Sequence, residues 1–484
     1  MLKSYAFATA LCCAAACPVF APLYAQTTTN LKHQPPDGAI LGFQLTDGTV
    51  IVQGNQYSDW WKLTPDTTGS YVNGTWKQMA SLQSGYAPYA MSSAVLADGR
   101  LLITGGEYNN GVFAFTDLGA VYQPTTNTWT PLSPPANWDF IGDSPSTVLA
   151  NGKFLLGRKF DKRIAELDPA TLTWTELKSK GKNDFDAEEG WTLMPNGTVL
   201  TYDVKKAPNS EIYSETTQKW TSAGSTVQNL QGPPSIKSIK YGNGLVYYPP
   251  GEVGPGILLP NGTVFATGAT HKGSNTAHTA IYTPPAGGTG VGTWAAGPDI
   301  PNGDQAGDSF AALLPTGNVL LEGDSGTLYE FNGTSFTTTK FNGQGGFLMV
   351  LPTGEILVNG GFVYQASGTV NPAWAPTITN VPTTLTRGST YEIQGTQFNG
   401  LSQANSFGDE LQTATNYPLV RITNTASGQV IYARTHDHST MGVATGSTIV
   451  STNFDVPSSA QAGASTLVVV ANGIPSAAVS VTLQ

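Results

Sequence analysis

One phrase recurs seven times along this chain: an apolar strand, a turn ending in glycine, and a second apolar strand. Examples are "SAVLADGRLLITGG", "WTLMPNGTVLTY" and "LMVLPTGEILVNGG". Asp-Gly and Asn-Gly favour tight hairpin turns because both central positions need positive φ. The turn glycines are Gly48, Gly99, Gly152, Gly197, Gly262, Gly317 and Gly354. Repetition at this period predicts a fold assembled from similar supersecondary units.

Most repeats continue with a third strand and then a strand that contains tryptophan. These read "AVYQPTTNTWTPL", "AELDPATLTWTEL" and "EIYSETTQKWTSA". Four short strands over about 40 to 65 residues are one propeller blade. We therefore predict an all-β chain with a seven-bladed kelch-type β-propeller over residues 26–374. The seventh unit is short, so the N-terminal segment is expected to lend it a strand and close the ring.

After Trp374 the pattern changes to strands with period-two alternation, from "APTITNVPTTLTRGSTYEIQG" to "STLVVVANGIPSAAVSVTLQ". About 110 residues of this kind predict an immunoglobulin-like β-sandwich over 375–484.

Residues 1–25 read as a signal peptide, with Lys3 at the charged start, an apolar stretch and cleavage near Ala25. This predicts a secreted or periplasmic protein without a transmembrane segment. Lipoprotein anchoring at Cys17 is the less favoured alternative. All three cysteines lie in this leader, so the mature chain is expected to form no disulfide.

The net charge of −10 argues against a nucleic-acid partner. Low charge density and many turn residues are typical of a secreted all-β protein, which we expect to be a monomer.

The whole pattern resembles galactose oxidase and the related copper radical oxidases. The tail "LVRITNTASGQVIYARTHDHST" carries the resemblance, because the final domain of that family sends a Thr-His loop to copper at the propeller axis. The resemblance implies that Thr435 and His436 form this pair. The other copper ligands do not carry over. The tyrosine position falls on Ala90, and the Tyr-His pair on Gln344 and Gly345. We therefore expect no copper centre with a Tyr-Cys radical.

A register argument locates acidic residues at the axis. Nine residues before the turn glycine is the start of the innermost strand, and this position holds Asp143, Glu188 and Asp308 in three of seven repeats. Since 33 of the 484 residues are acidic, seven positions would hold about 0.5 by chance. Together with His436, these carboxylates would suit a divalent ion such as Ca²⁺, Mn²⁺ or Zn²⁺. Two alternatives stay open: an acid/base pair in catalysis, and Asp-Ser turns of purely structural origin.

Loops predicted on the same face carry basic residues, which would form a rim suited to an anionic glycan. Tyr108 could stack on a sugar ring. The candidate substrate-binding residues are Tyr108, Lys159, Arg163, Lys205, His271, Lys272 and His278.

Three functions remain open from the sequence. The first is carbohydrate binding or processing at the axial mouth. The second is a metal-dependent or acid/base saccharide lyase or hydrolase that uses Asp143, Glu188, Asp308 and His436. The third is a structural or adhesive envelope protein with a degenerate site.

Overall fold

The structure is a computed structural model that describes residues 26–232, 239–240, 246–247, 251–269, 276–288 and 290–484. The first twenty strands are β1 (Thr27–Asn30), β2 (Leu41–Gln44), β3 (Val50–Gln53), β4 (Trp60–Thr64), β5 (Thr75–Gln78), β6 (Pro88–Tyr89), β7 (Ser92–Val95), β8 (Leu101–Thr104), β9 (Tyr108–Asn109), β10 (Val112–Phe113), β11 (Gly119–Gln123), β12 (Thr128–Leu132), β13 (Ser146–Val148), β14 (Phe154–Gly157), β15 (Ile164–Asp168), β16 (Thr173–Leu177), β17 (Thr192–Leu193), β18 (Val199–Tyr202), β19 (Asn209–Ser214) and β20 (Lys219–Ser225).

The later strands are β21 (Ile239–Lys240), β22 (Val246–Tyr247), β23 (Val253–Leu258), β24 (Val264–Gly268), β25 (Thr279–Thr283), β26 (Thr293–Ala296), β27 (Ala311–Leu313), β28 (Val319–Glu322), β29 (Thr327–Phe331), β30 (Phe336–Asn342), β31 (Leu348–Val350), β32 (Ile356–Val358), β33 (Phe362–Gln365), β34 (Thr377–Asn380), β35 (Thr384–Leu385), β36 (Thr390–Thr396), β37 (Asn405–Ser406), β38 (Leu419–Asn424), β39 (Val430–His436), β40 (Val450–Asp455), β41 (Gly463–Ala471), β42 (Ile474–Pro475) and β43 (Val479–Leu483). Short 3-10 turns occupy Ala286–Gly288, Pro301–Gly303 and Pro372–Trp374.

Among the described residues, seven antiparallel sheets share one plan, in which four strands follow one another outward from a buried innermost strand. They are β2-β3-β4-β5, β7-β8-β11-β12, β13-β14-β15-β16, β17-β18-β19-β20, β23-β24-β25-β26, β27-β28-β29-β30 and β31-β32-β33-β1. In the last sheet Thr27 to Asn30 pair with Gln365 to Phe362, so the N-terminal strand completes it as expected.

The innermost strands lie next to one another around an axis. Contacts join β7 to β13, β17 to β23, β23 to β27, β27 to β31 and β31 to β2. This radial arrangement is a β-propeller, which confirms the predicted all-β propeller class. The kelch-type, seven-bladed assignment and its domain boundaries stay predictions.

The recurring tryptophans connect neighbouring sheets. The indole N–H of Trp129 donates to the carbonyl oxygen of Ala80 at 3.0 Å, and that of Trp174 donates to Ser133 at 2.8 Å. In each case the acceptor follows the outermost strand of the preceding sheet. At these two positions the repeated residue therefore supplies the same hydrogen bond between adjacent units.

The C-terminal strands form a separate sheet system in the order β34-β36-β40-β39-β38-β41-β43-β35, with β42 paired to β41. Its own apolar core includes Ile393, Ile422, Phe454 and Leu467. An immunoglobulin-like class for this part stays a prediction. Strand β37 leaves this system and pairs with β27 of the propeller. Among the described residues, no helix is long and apolar enough to cross a membrane.

Candidate functional site

A cavity of about 310 Å³ opens where the innermost strands begin. Seven of its lining residues are acidic: Glu107, Asp143, Glu188, Glu252, Asp308, Asp409 and Glu410. Tyr89, Ala90, Phe310, Gly345 and Asn359 also line it. The structure therefore brings the three predicted carboxylates Asp143, Glu188 and Asp308 together, and adds four more.

A segment of the C-terminal part, residues 399–416, enters the propeller along its axis. The side chain of Gln403 accepts a hydrogen bond from the Leu193 N–H at 2.8 Å and donates to the Thr147 hydroxyl at 3.0 Å. The Asn405 amide oxygen accepts from the Val350 N–H at 3.0 Å. These buried amides satisfy polar groups on the inward edges of innermost strands, which would otherwise lack partners.

The tip of this axial segment delivers Asp409 and Glu410 to the cavity. Gly408 allows the approach, since a Cβ at this position would lie 2.6 Å from the carbonyl oxygen of Val253. Asp409 and Glu410 are 2% and 4% exposed. The segment that reaches the axis is therefore not the Thr435-His436 loop that the resemblance implies.

Lys159 forms ion pairs with Asp143 and Glu188 inside the cavity wall. Its side chain is 1% exposed, and its ammonium also lies 5.5 Å from the centre of the Phe115 ring. Lys159 was expected on an exposed basic rim. That expectation is wrong, because the residue faces inward and neutralises part of the acidic cluster.

Burial is the main cause that raises carboxyl pKa values in this cavity. It raises the pKa of Asp143 well above its usual range, although Lys159 opposes the shift. The pKa of Glu410 is also well above normal, because burial and the charge of Asp308 both disfavour ionisation. Burial raises the pKa of Glu252 in the same direction.

Asp308 differs from the others because solvent in the cavity mouth reaches its side chain. Protein atoms crowd it on the other sides. That enclosure, followed by repulsion from Glu188, raises its pKa to about 7.

Backbone conformation is unusual at the same positions. A residue with positive φ precedes the innermost strand in all seven sheets: Gly38, Ala90, Gly142, Glu188, Gly251, Asp308 and Gly345. Non-glycine residues rarely adopt this conformation, which costs about 1–2 kcal/mol for a residue with a Cβ. Two of the three non-glycine residues are acidic residues of the cavity. Their retention at a local energetic cost is typical of functional positions.

An aromatic surface borders the cavity. Strands β6, β9 and β10 form a small sheet, and the ring of Tyr89 lies 5.8 Å from Tyr57 and 6.0 Å from Tyr108, measured between centroids. Phe113 continues the row at 5.7 Å from Tyr108. Tyr89 is 40% exposed. We call these four residues the aromatic ledge.

His436 does not reach the cavity. Its Nδ1 lies 2.7 Å from Asp437 and its Nε2 lies 3.2 Å from Asp455. The preceding Thr435 N–H donates to Thr46, and Arg434 donates to the carbonyl oxygen of Asp98. Thr46 and Asp98 belong to hairpin turns at the far ends of innermost strands, about 25 Å of extended chain from the cavity end. The placement of His436 at the axial mouth is therefore wrong.

The remaining predicted residues that the structure describes are not among the residues that line the cavity. The Nε of Arg163 lies 3.0 Å from Asp161, the ammonium of Lys205 lies 4.2 Å from the centre of the Phe185 ring, and His278 lies 2.7 Å from Asp299. Tyr108 belongs to the aromatic ledge. His271 and Lys272 fall outside the described residues. A substrate-binding role for these residues stays a prediction.

Two sets of carboxylates have the spacing of a metal site. Asp143, Glu188 and Asp409 offer oxygens within 4.8 Å of one another, and so do Glu252, Asp308 and Asp409. Of the positions that the resemblance matches to the other copper ligands, Ala90 and Gly345 have no donor side chain, whereas Gln344 does. The carboxylates that the cavity presents suit a hard, oxygen-preferring cation.

Sequence reasoning missed Glu107, Asp409 and Glu410 as cavity residues. One weak signal was present: of the five Gly-Asp pairs in the sequence, three, at 142–143, 307–308 and 408–409, place their aspartate at the cavity, while those at 303–304 and 323–324 do not. Register counting could not find the third pair, because it lies outside the repeats.

The ring of sheets and its axial acidic cavity define the chain as a β-propeller protein. No family model and no curated protein sequence matches it. Among solved structures it is similar to a fungal alcohol oxidase of the AA5 family in complex with copper, with a TM-score of 0.49 and 14% identity over 96% of this chain and 99% of the other.

Virginiamycin B lyase from Staphylococcus aureus gives a TM-score of 0.46 and 10% identity over 70% of this chain and 98% of the other. The extracellular domain of the one-component system BT4673 from B. thetaiotaomicron gives 0.45 and 11%, over 96% of this chain and 58% of the other. These are likenesses of fold, and the chemistry of the cavity rests on the residues of this chain.

Proposed function

We propose that this chain is an exported, galactose oxidase-like propeller that binds a saccharide at the axial mouth. The observation that carries the proposal is the aromatic ledge beside a cavity lined by hydrogen-bond acceptors. The assignment includes a leader at 1–25, seven kelch-type blades within 26–374 and an immunoglobulin-like domain over 375–484.

Saccharide rings combine apolar C–H faces with hydroxyl donors. Tyr89 presents a partly exposed ring at the cavity edge, suited to such a face. The carboxyl groups behind it can accept hydrogen bonds from hydroxyl groups. The cavity volume of about 310 Å³ lies at the lower end of the range for small-molecule sites. A mono- or disaccharide is the ligand size we propose.

The charge of the cavity limits the class of saccharide that we expect it to bind. Seven acidic residues face a single described ammonium, that of Lys159. An anionic uronate or sialate would be repelled by the uncompensated carboxylates. We therefore propose a neutral saccharide, and a divalent cation held by the carboxylates. Ca²⁺ and Mn²⁺ suit a donor set that consists of oxygen atoms only. Zn²⁺ is less suited, because His436, the imidazole ligand expected from the sequence, does not reach the cavity.

The test is a glycan array followed by calorimetry on the mature protein, with calcium present. Tyr89→Ala should weaken binding of the best neutral saccharide, since a stacked ring contributes about 0.5–1.5 kcal/mol. Tyr89→Phe keeps the ring and is the matched control. Binding that is unchanged in Tyr89→Ala would refute the role of the ledge.

The same saccharides, analysed for product release, test the hydrolase and lyase alternatives. Absence of binding to every neutral and charged saccharide would overturn the proposal and favour a structural or adhesive role.

A further inference from the structure

We infer that the acidic cavity is divided into two halves with different counter-ions. Lys159 serves as a built-in cation for Asp143 and Glu188, and one divalent metal ion binds between Glu252, Asp308 and Asp409. The inference rests on the proposed function, because it locates and defines the cation of the same site.

The geometry supplies two overlapping candidate sites that share Asp409. If both halves were equivalent, two ions bridged by Asp409 would be the natural arrangement. They are not equivalent. Lys159 approaches both Asp143 and Glu188 closely enough for direct ion pairs, so an ammonium already occupies the first half. A metal ion there would have to displace a lysine that is 1% exposed.

The second half has no such partner. In the part of the chain that the structure describes, Glu252, Asp308 and Asp409 form no ion pair with a lysine, arginine or histidine. Adjacent carboxylates repel one another when both are ionised, and a bound cation relieves that repulsion in place of a shared proton. This half therefore has the greater need for an external ion.

An independent observation points to a ligand at the same place. Glu410 lines the cavity and is 4% exposed, yet within the described residues its carboxylate has no hydrogen-bond partner from another residue. Buried carboxylates in native proteins are almost always paired or bound to metal. Glu410 directly follows Asp409, so a cation near Asp409 would give this carboxylate an attractive neighbour.

The donor set identifies the class of ion. Three or four carboxylates in a cavity open to water can satisfy the 6–8 oxygen ligands of Ca²⁺ with water or sugar hydroxyls completing the shell. Mn²⁺ also accepts oxygen donors. Asp308 is exposed to the cavity solvent, so an ion held there would face an incoming saccharide.

The experiment is elemental analysis and calorimetry with CaCl₂ or MnCl₂ alone, on full-length mature protein after chelation and dialysis. One ion per chain is expected. Asp308→Asn should abolish it or weaken it by more than the roughly 10–100-fold that loss of a supporting residue causes. Asparagine tolerates the positive φ of 53° at this position, so the backbone should accept the change.

Asp143→Asn is the matched variant in the other half and should retain the ion, because Lys159 keeps its pairing with Glu188. If Asp143→Asn fails to fold, Glu188→Gln replaces it. The inference would be overturned by two ions per chain or by no ion. It would also be overturned if the ion were lost in Asp143→Asn but retained in Asp308→Asn. Saccharide binding by the chelated protein, measured separately, distinguishes failure of this inference from failure of the proposed function.

Discussion

Replacement of Glu322 by glutamine is expected to change how the stability of this protein depends on pH. Glu322 ends β28 and is 2% exposed. Its Oε1 accepts a hydrogen bond from the Gly345 N–H at 2.6 Å, next to the axial cavity. Burial raises its pKa from 4.5 to about 7, although the backbone N–H groups of Gly345 and Gly346 act in the opposite direction.

The direction of this pH effect follows from the difference between the pKa of Glu322 in the folded state and its pKa in the unfolded state. Below pH 4.5 the carboxyl group is protonated in both states, so the full stability is present. As the pH rises towards 7, the unfolded chain releases this proton while the folded chain keeps it, and the free energy of unfolding falls. The gap of about 2.5 between the two pKa values corresponds to about 3 kcal/mol.

Glutamine keeps the carbonyl acceptor for Gly345 and removes the titration. Urea unfolding should therefore give similar stability for wild type and Glu322→Gln at pH 4.5, and a variant about 3 kcal/mol more stable at pH 8. Glu392→Gln is the control, since Glu392 is exposed on β36. A difference between wild type and Glu322→Gln that is the same at both pH values would refute the reasoning.

Other substitutions test separate parts of the structure. Lys182 is fully buried, with its ammonium 2.8 Å from Glu189 and 3.0 Å from Glu211. Lys182→Met should therefore lower the free energy of unfolding by about 3–5 kcal/mol, measured by urea unfolding at pH 8. An unchanged urea midpoint would contradict this expectation. Gly408→Ala should displace the axial segment, because its Cβ would lie 2.6 Å from the Val253 carbonyl oxygen, and calorimetry should then show weaker calcium binding. Binding of calcium at wild-type affinity would refute the expectation that the close approach of Gly408 to Val253 positions the axial segment. His436→Ala should leave the metal content unchanged in elemental analysis and lower the free energy of unfolding by at most about 1 kcal/mol. Loss of the ion would instead show that His436 is a metal ligand.

The propeller was predictable because repetition in sequence requires repetition in space. The turn glycines fix where each innermost strand ends, and counting back from them finds where it begins. That count placed Asp143, Glu188 and Asp308 at one end of the axis, where the structure has them. The tryptophans were readable as repeats, but their hydrogen bonds to the preceding sheet depend on packing between units.

The central part of the cavity was less predictable, because it is contributed by a segment outside the repeats. His436 attracted attention as a rare residue in a motif that resembles a known ligand loop, but the strand pairing of β39 fixes it beside the hairpin turns. Lys159 looked like a surface lysine because loop lysines usually are. Only the three-dimensional arrangement shows that its ammonium lies between two buried acids.

The path of the axial segment also sets the order in which the cavity can be completed. Its hydrogen-bond partners on the innermost strands of the propeller, Ser93, Thr147, Leu193 and Val350, precede it in the chain. During synthesis the innermost strands emerge before Asp409 and Glu410 do, and contacts of such long sequence separation form late. A chain that stalls before residue 409 could assemble much of the ring and still lack two acids of the centre. Cation binding would therefore report that the axial segment has entered the ring.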